Sequence, residues 1–360
     1  MNRIWLNTRG NRIVIFGETT IKEIFHKFHN IICFGGGRAF NSFMDMFEET
    51  PLASRIMYIV ENDSSKWGTV KYAGNRKIPI VSYTYFSEQE IPESTVFIIT
   101  LKAKDEILTQ YRSMEKCRNI QTVWYLDILR EYYTWTYDDV SLPMTLKRSE
   151  EMLIPKVIHY CWFGKGEMPY ENRVWMESWE KYCPDYKIVR WDESNYDVTK
   201  NAYMYEAYQA SKWGFVSDYA RLDILYDNGG VYLDTDVELV KNLDELLYQP
   251  AFMGWEDSLV VNSGLGIGAV KGVGLIKEMK EDYEGIRFLQ GDGSYDLTAC
   301  PIRQTRVLKG HGLKRDGKYQ IVGGIAVLPV TYLCGKPLMA LHDTRTEYTF
   351  SIHQFQGSWL

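Results

Sequence analysis

The chain has 360 residues, 45% of them hydrophobic and 24% charged, with a formal net charge of -6. That length allows two domains with a core each, and the mild acidic excess gives no support to a nucleic-acid partner, which needs a basic face. The six cysteines, Cys33, Cys117, Cys161, Cys183, Cys300 and Cys334, show no C-x-x-C pairing, so neither a zinc site nor a disulfide framework is expected.

In chain order, the first residues carry no apolar leader, and no run of about 18 apolar residues occurs anywhere. A cytoplasmic protein is expected, with peripheral contact at the inner face of the cell membrane left open. Short apolar runs at 13–16, 31–34, 56–60, 79–83, 96–100 and 122–125 read as strands, and 39–47 and 105–113 as helices. Strands alternating with helices argue for a parallel α/β sheet. Gly35-Gly36-Gly37 follows the second run, and Glu61 or Asp63 closes the third, which together invite a dinucleotide reading. The pattern is incomplete, because Phe40 stands where the third glycine belongs. A Rossmann-like domain that keeps its glycines for backbone reasons is the alternative. Periodicity fades between 138 and 152, which marks a linker and divides the chain into residues 1–150 and 151–360.

The second half opens with a strand in 154–164 that carries His159, read as a satisfied core histidine, and ends at Trp162. Helices are expected at 172–182, 202–211 and 217–227, strands at 186–191, 231–233 and 251–255, and short segments at 243–247, 259–261 and 302–308. A final strand runs to His353. The stretch Ser217 to Glu238, SDYARLDILYDNGGVYLDTDVE, organises the rest. Its helix stops at Asn228-Gly229-Gly230, a short buried strand follows, and Asp234-Thr235-Asp236 lies beyond it. Two carboxylates that close repel each other unless a cation joins them. Hard oxygen ligands suit Mg²⁺ or Mn²⁺, ions that leave positions for substrate phosphates; the same triplet also suits a solvated turn. Asp218 and Arg221, three apart, share a helix face suited to gripping a polyhydroxylated ligand, while Asp223 points elsewhere.

Taken together, S-D-x-x-R, the Gly-Gly stop and V-Y-L-D-T-D resemble the DxD glycosyltransferases of GT-A type. The likeness is to glycosyltransferase family 32, the capsular-polysaccharide type, and more distantly to the clostridial glucosylating toxins. It covers roughly 154–360 and includes the opening I-H-x-x-W-x-G and the terminal H-x-x-x-G-S-W. The resemblance implies a GT-A nucleotide-sugar domain with a mixed central sheet, preceded by the smaller Rossmann-like α/β domain. It implies catalytic roles for Asp218, Arg221, Asp234 and Asn262. Nucleotide-sugar contacts fall to Trp162, Ser217, Tyr232, Ser358 and Trp359, and cation ligation to Asp234, Asp236, His353 and Ser358.

The implied reaction moves a sugar, with retention, from a nucleotide-sugar to a saccharide or lipid-linked saccharide, in capsular or surface-polysaccharide synthesis. A UDP-hexose is the expected donor and GDP-mannose the alternative. A cation held by Asp236 stabilises the leaving diphosphate, and Asp234 bridges to ribose or sugar. Two other classes compete: a Ca²⁺-dependent carbohydrate-binding protein without turnover, and an oxidoreductase built on the glycine turn.

Overall fold

The computed structural model describes residues 5–6, 12–13, 26–47, 51–73, 75–101, 104–118, 120–128, 146, 148–257, 259–336 and 344–357. These form two compact units, Met1–Tyr132 and Tyr133–Leu360.

In the first unit, β1 (Trp5–Leu6) and β2 (Arg12–Ile13) pair antiparallel; residues 14–16 of the expected first strand lie outside the described residues. There follow β3 (Asn30–Phe34), α1 (Arg38–Phe47), α2 (Pro51–Arg55), β4 (Ile56–Val60), β5 (Val70–Ala73) and β6 (Arg76–Val81). Then come α3 (Tyr83–Glu88), β7 (Thr95–Ile99), α4 (Lys104–Arg112) and β8 (Gln121–Trp124). The sheet order is β5-β6-β4-β3-β7-β8, parallel throughout except for β5. The apolar runs of β3, β4 and β7 are long enough to be buried on both faces, as parallel strands require. Phe34 packs between Phe86, Phe97 and Tyr111. The expected strand 79–83 is displaced: β6 ends at Val81, where the Ser82 side chain caps the start of α3.

The second unit contains β9 (Val157–Cys161), α5 (Tyr170–Tyr182), β10 (Lys187–Trp191), α6 (Ala202–Gln209), α7 (Trp213–Asn228), β11 (Gly230–Tyr232) and β12 (Val237–Leu239). It continues with β13 (Ala251–Trp255), β14 (Val261–Asn262), β15 (Ile267–Ala269), α8 (Gly274–Glu281) and α9 (Cys300–Gly310). The last elements are β16 (Gln320–Val322), β17 (Ile325–Leu328), α10 (Val330–Leu333) and β18 (Ser351–His353). Its sheet is mixed, in the order β10-β9-β11-β15-β13-β17-β16, with β14 paired to β13. Part of the expected linker is anchored here, since the Arg148 amide donates to the Tyr248 carbonyl and that of Leu153 to Leu247.

Two features aim the chain at one end of this sheet. Helix α7 is buried almost all round, from Phe215 to Leu225, and therefore runs through the core. It stops where the Gly229 amide donates to the Leu225 carbonyl, with Gly229 at φ +70° and Gly230 at φ +105°. A Cβ on Gly230 would lie 2.8 Å from the Val157 carbonyl oxygen, so β11 can enter beside β9 only with glycine there. Separately, β12 and β18 form a two-stranded ribbon pairing Val237 with His353. The Trp179 indole of α5 holds it by donating to the Val237 carbonyl at 2.8 Å.

Gly230→Ala is therefore expected to destabilise the fold by about 2–4 kcal/mol, from left-handed strain plus the clash. Urea unfolding of the pure variant measures this, and a loss under about 0.5 kcal/mol would contradict the close approach.

Candidate functional site

Where β9 and β11 end, the second unit encloses a cavity of about 390 Å³. Parallel pairing sets His159 beside Tyr232, so the segments that follow, Cys161-Trp162-Phe163 and Asp234-Thr235-Asp236, both open into it. The N-terminal half of α7 supplies Trp213, Ser217, Asp218 and Arg221. Glu256 and Asn262 enter from the β13–β14 hairpin, Cys300 from the start of α9, His353 from the end of β18, and Phe355 and Gln356 from the segment after it.

Trp162 lines the cavity with its indole N–H anchored on the Gly166 carbonyl at 2.8 Å. Gly164, at φ +91°, lies flat on Trp213, where a Cβ would come within 2.4 Å of the ring. The Gly164 amide donates to Glu193 at 2.7 Å, which fixes this turn. His159 is buried: the Trp191 indole donates to Nδ1, so Nε2 carries the proton and donates to the Gly229 carbonyl. That is the satisfied core histidine expected.

The charged centre is Arg221. Its guanidinium lies 3.1 Å from Asp218 and 3.2 Å from Asp234, stacks over the Tyr232 ring, and reaches Ser263 and Cys300. Asp218 and Arg221 thus pair with each other in the interior, where an open ligand-facing grip was expected. Burial pushes the Asp218 carboxyl up to about 6, against the attraction of Arg221. Asp223 lies apart, bonded to Tyr196, Lys200 and Lys280.

Tyr232 requires a correction. It is fully buried and absent from the cavity wall, and its hydroxyl donates to Asp234 Oδ1 at 2.9 Å. In this position it orients a carboxylate. Because Arg221 and Tyr232 both engage Oδ1, Asp234 Oδ2 stays clear of them, lying where a Cβ on Gly264 would approach to 2.3 Å. Thr235, between the two aspartates, accepts from Asn172 of α5. Ser217 lines the cavity and bonds back to the Trp213 carbonyl.

Asp236 accepts from the Gln356 amide at 3.0 Å and from His353 Nε2 at 3.3 Å. The Phe355 amide donates to His353 Nδ1, which leaves the ring proton on Nε2, directed at Asp236. Burial is the largest influence on the Asp236 carboxyl and raises it, yet the bond and charge of His353 and the Gln356 amide together outweigh it and the net displacement is downward. Asp234, Asp236 and His353 can each offer one ligand atom, all within 4.8 Å of one another. Two carboxylates and an imidazole form a donor set that fits a divalent cation. The wall holds four carboxylates (Asp218, Asp234, Asp236 and Glu256) against one guanidinium, an imbalance a cation relieves. Ser358 and Trp359 lie outside the described residues.

Asn262 is brought to the cavity with both polar ends engaged: Oδ1 accepts from the Gly264 amide at 2.6 Å, and Nδ2 donates to Glu256 at 2.7 Å. Sequence reasoning missed Glu256, Gly264, Cys300, Phe355 and Gln356. Only the N-S-G turn carried a usable signal, since an asparagine two residues before glycine caps its own turn.

The Asp218 displacement has a signed consequence. The folded state holds that proton above the ordinary carboxylate value of 3.8, so ionising Asp218 lowers stability progressively as pH rises from about 4 to about 6. Relative to wild type, Asp218→Asn is expected to gain about 3 kcal/mol between pH 4 and pH 7. Denaturant melts at the two pH values read the difference, and parallel curves for the two proteins would count against it.

Part of this unit is similar in sequence to known proteins. Residues 169–253 match the family model of the glycosyltransferase sugar-binding region containing a DXD motif, a span that includes Asp218, Arg221, Asp234 and Asp236 and stops short of Asn262 and His353. Inositol phosphoceramide mannosyltransferase 3 of Schizosaccharomyces pombe is 34% identical over 113 residues, 29% of this chain and 30% of that protein. Mannosyl phosphorylinositol ceramide synthase SUR1 of Saccharomyces cerevisiae is 37% identical over 108 residues, 28% of this chain and 27% of that protein. The chain thus spans less than a third of the length of either curated relative. A solved structure, PaToxG Glycosyltransferase, aligns at 17% identity over 51% of this chain and 78% of that chain, with a TM-score of 0.36. Over residues 169–253 the second unit is thus similar to the DXD-bearing sugar-binding region of glycosyltransferases.

Proposed function

We propose that this protein is a metal-dependent glycosyltransferase that moves a hexose from a nucleoside-diphosphate sugar to a saccharide or glycolipid hydroxyl. One observation carries the reading: Asp234 and Asp236, inside the matched DXD region, converge with His353, which lies beyond it, past the end of strand β11 in a cavity that Trp162 also lines. A cavity with four carboxylates repels a diphosphate unless a divalent cation, Mn²⁺ or Mg²⁺, accompanies it.

When bound, that cation supplies neutralisation of the charge that develops on the departing diphosphate. The chain's own residues do the rest. Arg221 and Tyr232 hold Asp234 by one oxygen, which fixes its carboxylate in place beside Gly264. His353 and the Gln356 amide set Asp236 in the same way. Trp162 offers its ring to the base, and Arg221 with Asp218 lines the region for the sugar. Front-face transfer with retention is the stereochemical course taken over from the family resemblance.

We extend the reading to a GT-A arrangement of residues 151–360 and a Rossmann-like fold for residues 1–150. A UDP-hexose remains the first donor to test, with GDP-mannose beside it, since both yeast relatives are named for mannosyl transfer. Capsular or surface-polysaccharide synthesis at the cytoplasmic face of the membrane is the proposed setting. No helix among the described residues is long and apolar enough to cross a membrane.

Incubation with Mn²⁺ and a panel of UDP- and GDP-sugars, with free nucleotide as the readout, tests the proposal. Release is expected with one donor, to vanish with EDTA, and to fall at least 100-fold in Asp236→Ala. Saccharide binding with Ca²⁺ and no release would favour the lectin reading, and a nicotinamide signal without release the oxidoreductase.

A further inference from the structure

Of the four carboxylates on the cavity wall, three have charged or ring-nitrogen partners. Asp218 and Asp234 pair with Arg221, and Asp236 pairs with His353. Glu256 differs. Its Oε2 accepts from Asn262 Nδ2 at 2.7 Å, while its Oε1 has no hydrogen-bond partner among the described residues and borders the cavity. A half-satisfied carboxylate in so enclosed a place is poised for a donor that arrives with a ligand.

The support beneath it is rigid. The Glu256 amide donates to the Val260 carbonyl across the β13–β14 hairpin, and the neighbouring Trp255 indole is anchored on the Lys318 carbonyl. Asn262 cannot swing toward a ligand, because its Oδ1 accepts from the Gly264 amide while its Nδ2 holds Glu256. The hydroxyl-reading role expected of Asn262 therefore passes to the residue it orients.

Position decides what Glu256 meets. A Cβ on Gly264 would touch both Asp234 Oδ2, at 2.3 Å, and Asn262 Oδ1, at 3.1 Å, so Asn262 borders the cation-binding end. Glu256 lies one hydrogen bond further along and outside the three-residue ligand set. A phosphate is repelled by a carboxylate there, whereas a sugar hydroxyl donates to it. We propose that Glu256 accepts a hydrogen bond from a hydroxyl of the transferred sugar and thereby selects the donor sugar. This rests on the function proposed above and names a residue outside the matched DXD region.

The test separates nucleotide from sugar. Calorimetry with Mn²⁺, without acceptor, compares free UDP and GDP with UDP-glucose, UDP-galactose and GDP-mannose. Glu256→Gln is expected to bind the free nucleotide within twofold of wild type and the preferred nucleotide-sugar at least tenfold more weakly. In a series of monodeoxy donors, one position should bind wild type and Glu256→Gln equally. Retained nucleotide binding also certifies the fold, and Glu256→Asp, which keeps the charge and shortens the reach, should show the same split. Equal losses for nucleotide and nucleotide-sugar would assign Glu256 to the diphosphate end and overturn the proposal. So would unchanged donor binding with slowed transfer, which would assign it to the acceptor. Wild type that binds no nucleotide with Mn²⁺ would instead remove the transferase reading itself.

Discussion

The second unit depends on a guanidinium placed between two acids in the protein interior. Arg221 and Asp218 are both buried, and their mutual attraction opposes the desolvation that each meets there. Truncating Arg221 would leave two carboxylates buried without their counter-charge, which is far more damaging than the loss of one surface pair. The arrangement is also directional. By occupying one oxygen of Asp234, together with the Tyr232 hydroxyl, Arg221 determines which oxygen is left for a ligand. Stability and site geometry are therefore properties of the same contact.

Everything that delivers this contact is backbone geometry. Helix α7 carries Asp218 and Arg221 through the core, and a turn needing two glycines reverses the chain into β11. Only three residues of strand separate that turn from Asp234. The second acid depends on a different element, the β12–β18 ribbon, which seats His353 beside Asp236 although the two stand 117 positions apart in the sequence. The cation-ligand set is thus built from one local turn and one long-range pairing. Glycine at 264 leaves the space in which the carboxylate of Asp234 sits.

These origins explain what the sequence disclosed. The parallel strands of the first unit were legible because each is an unbroken apolar run bounded by polar residues. Helix α7 was legible over 217–227 and begins earlier, at Trp213, because Lys212 offers no side-chain cap to announce its start. Strands β15 and β17 were not read. Both are three or four residues long and buried on both faces, so they show no alternation, and their flanking Gly266, Gly323-Gly324 and Pro329 mark turns without saying which element lies between. Asp234 and Asp236 were readable as a local pair. Glu256 was not, because only the hairpin register of β13 and β14 brings it near Asn262. Tyr232 was assigned to ligand from the motif alone, and strand alternation at a buried β11 turns it inward.

The glycine turn of the first unit shows why a motif must be weighed against its hydrogen bonds. In a dinucleotide site the acid after the second strand would be left free for a ribose. Here Glu61 accepts from the Gly36, Asn62 and Asp63 amides and from Lys66, so its two oxygens are consumed by its own chain. Those bonds pull its carboxyl below the usual value even though burial acts in the other direction. Gly35, at φ +99°, is needed because any side chain would run into Leu101. Phe40 is buried on α1, filling the position where a third glycine would have let helix and strand close together. The glycines are accounted for by the path of the backbone and the acid by the turn it braces. The cavity where carboxylates outnumber their counter-charges lies in the other unit.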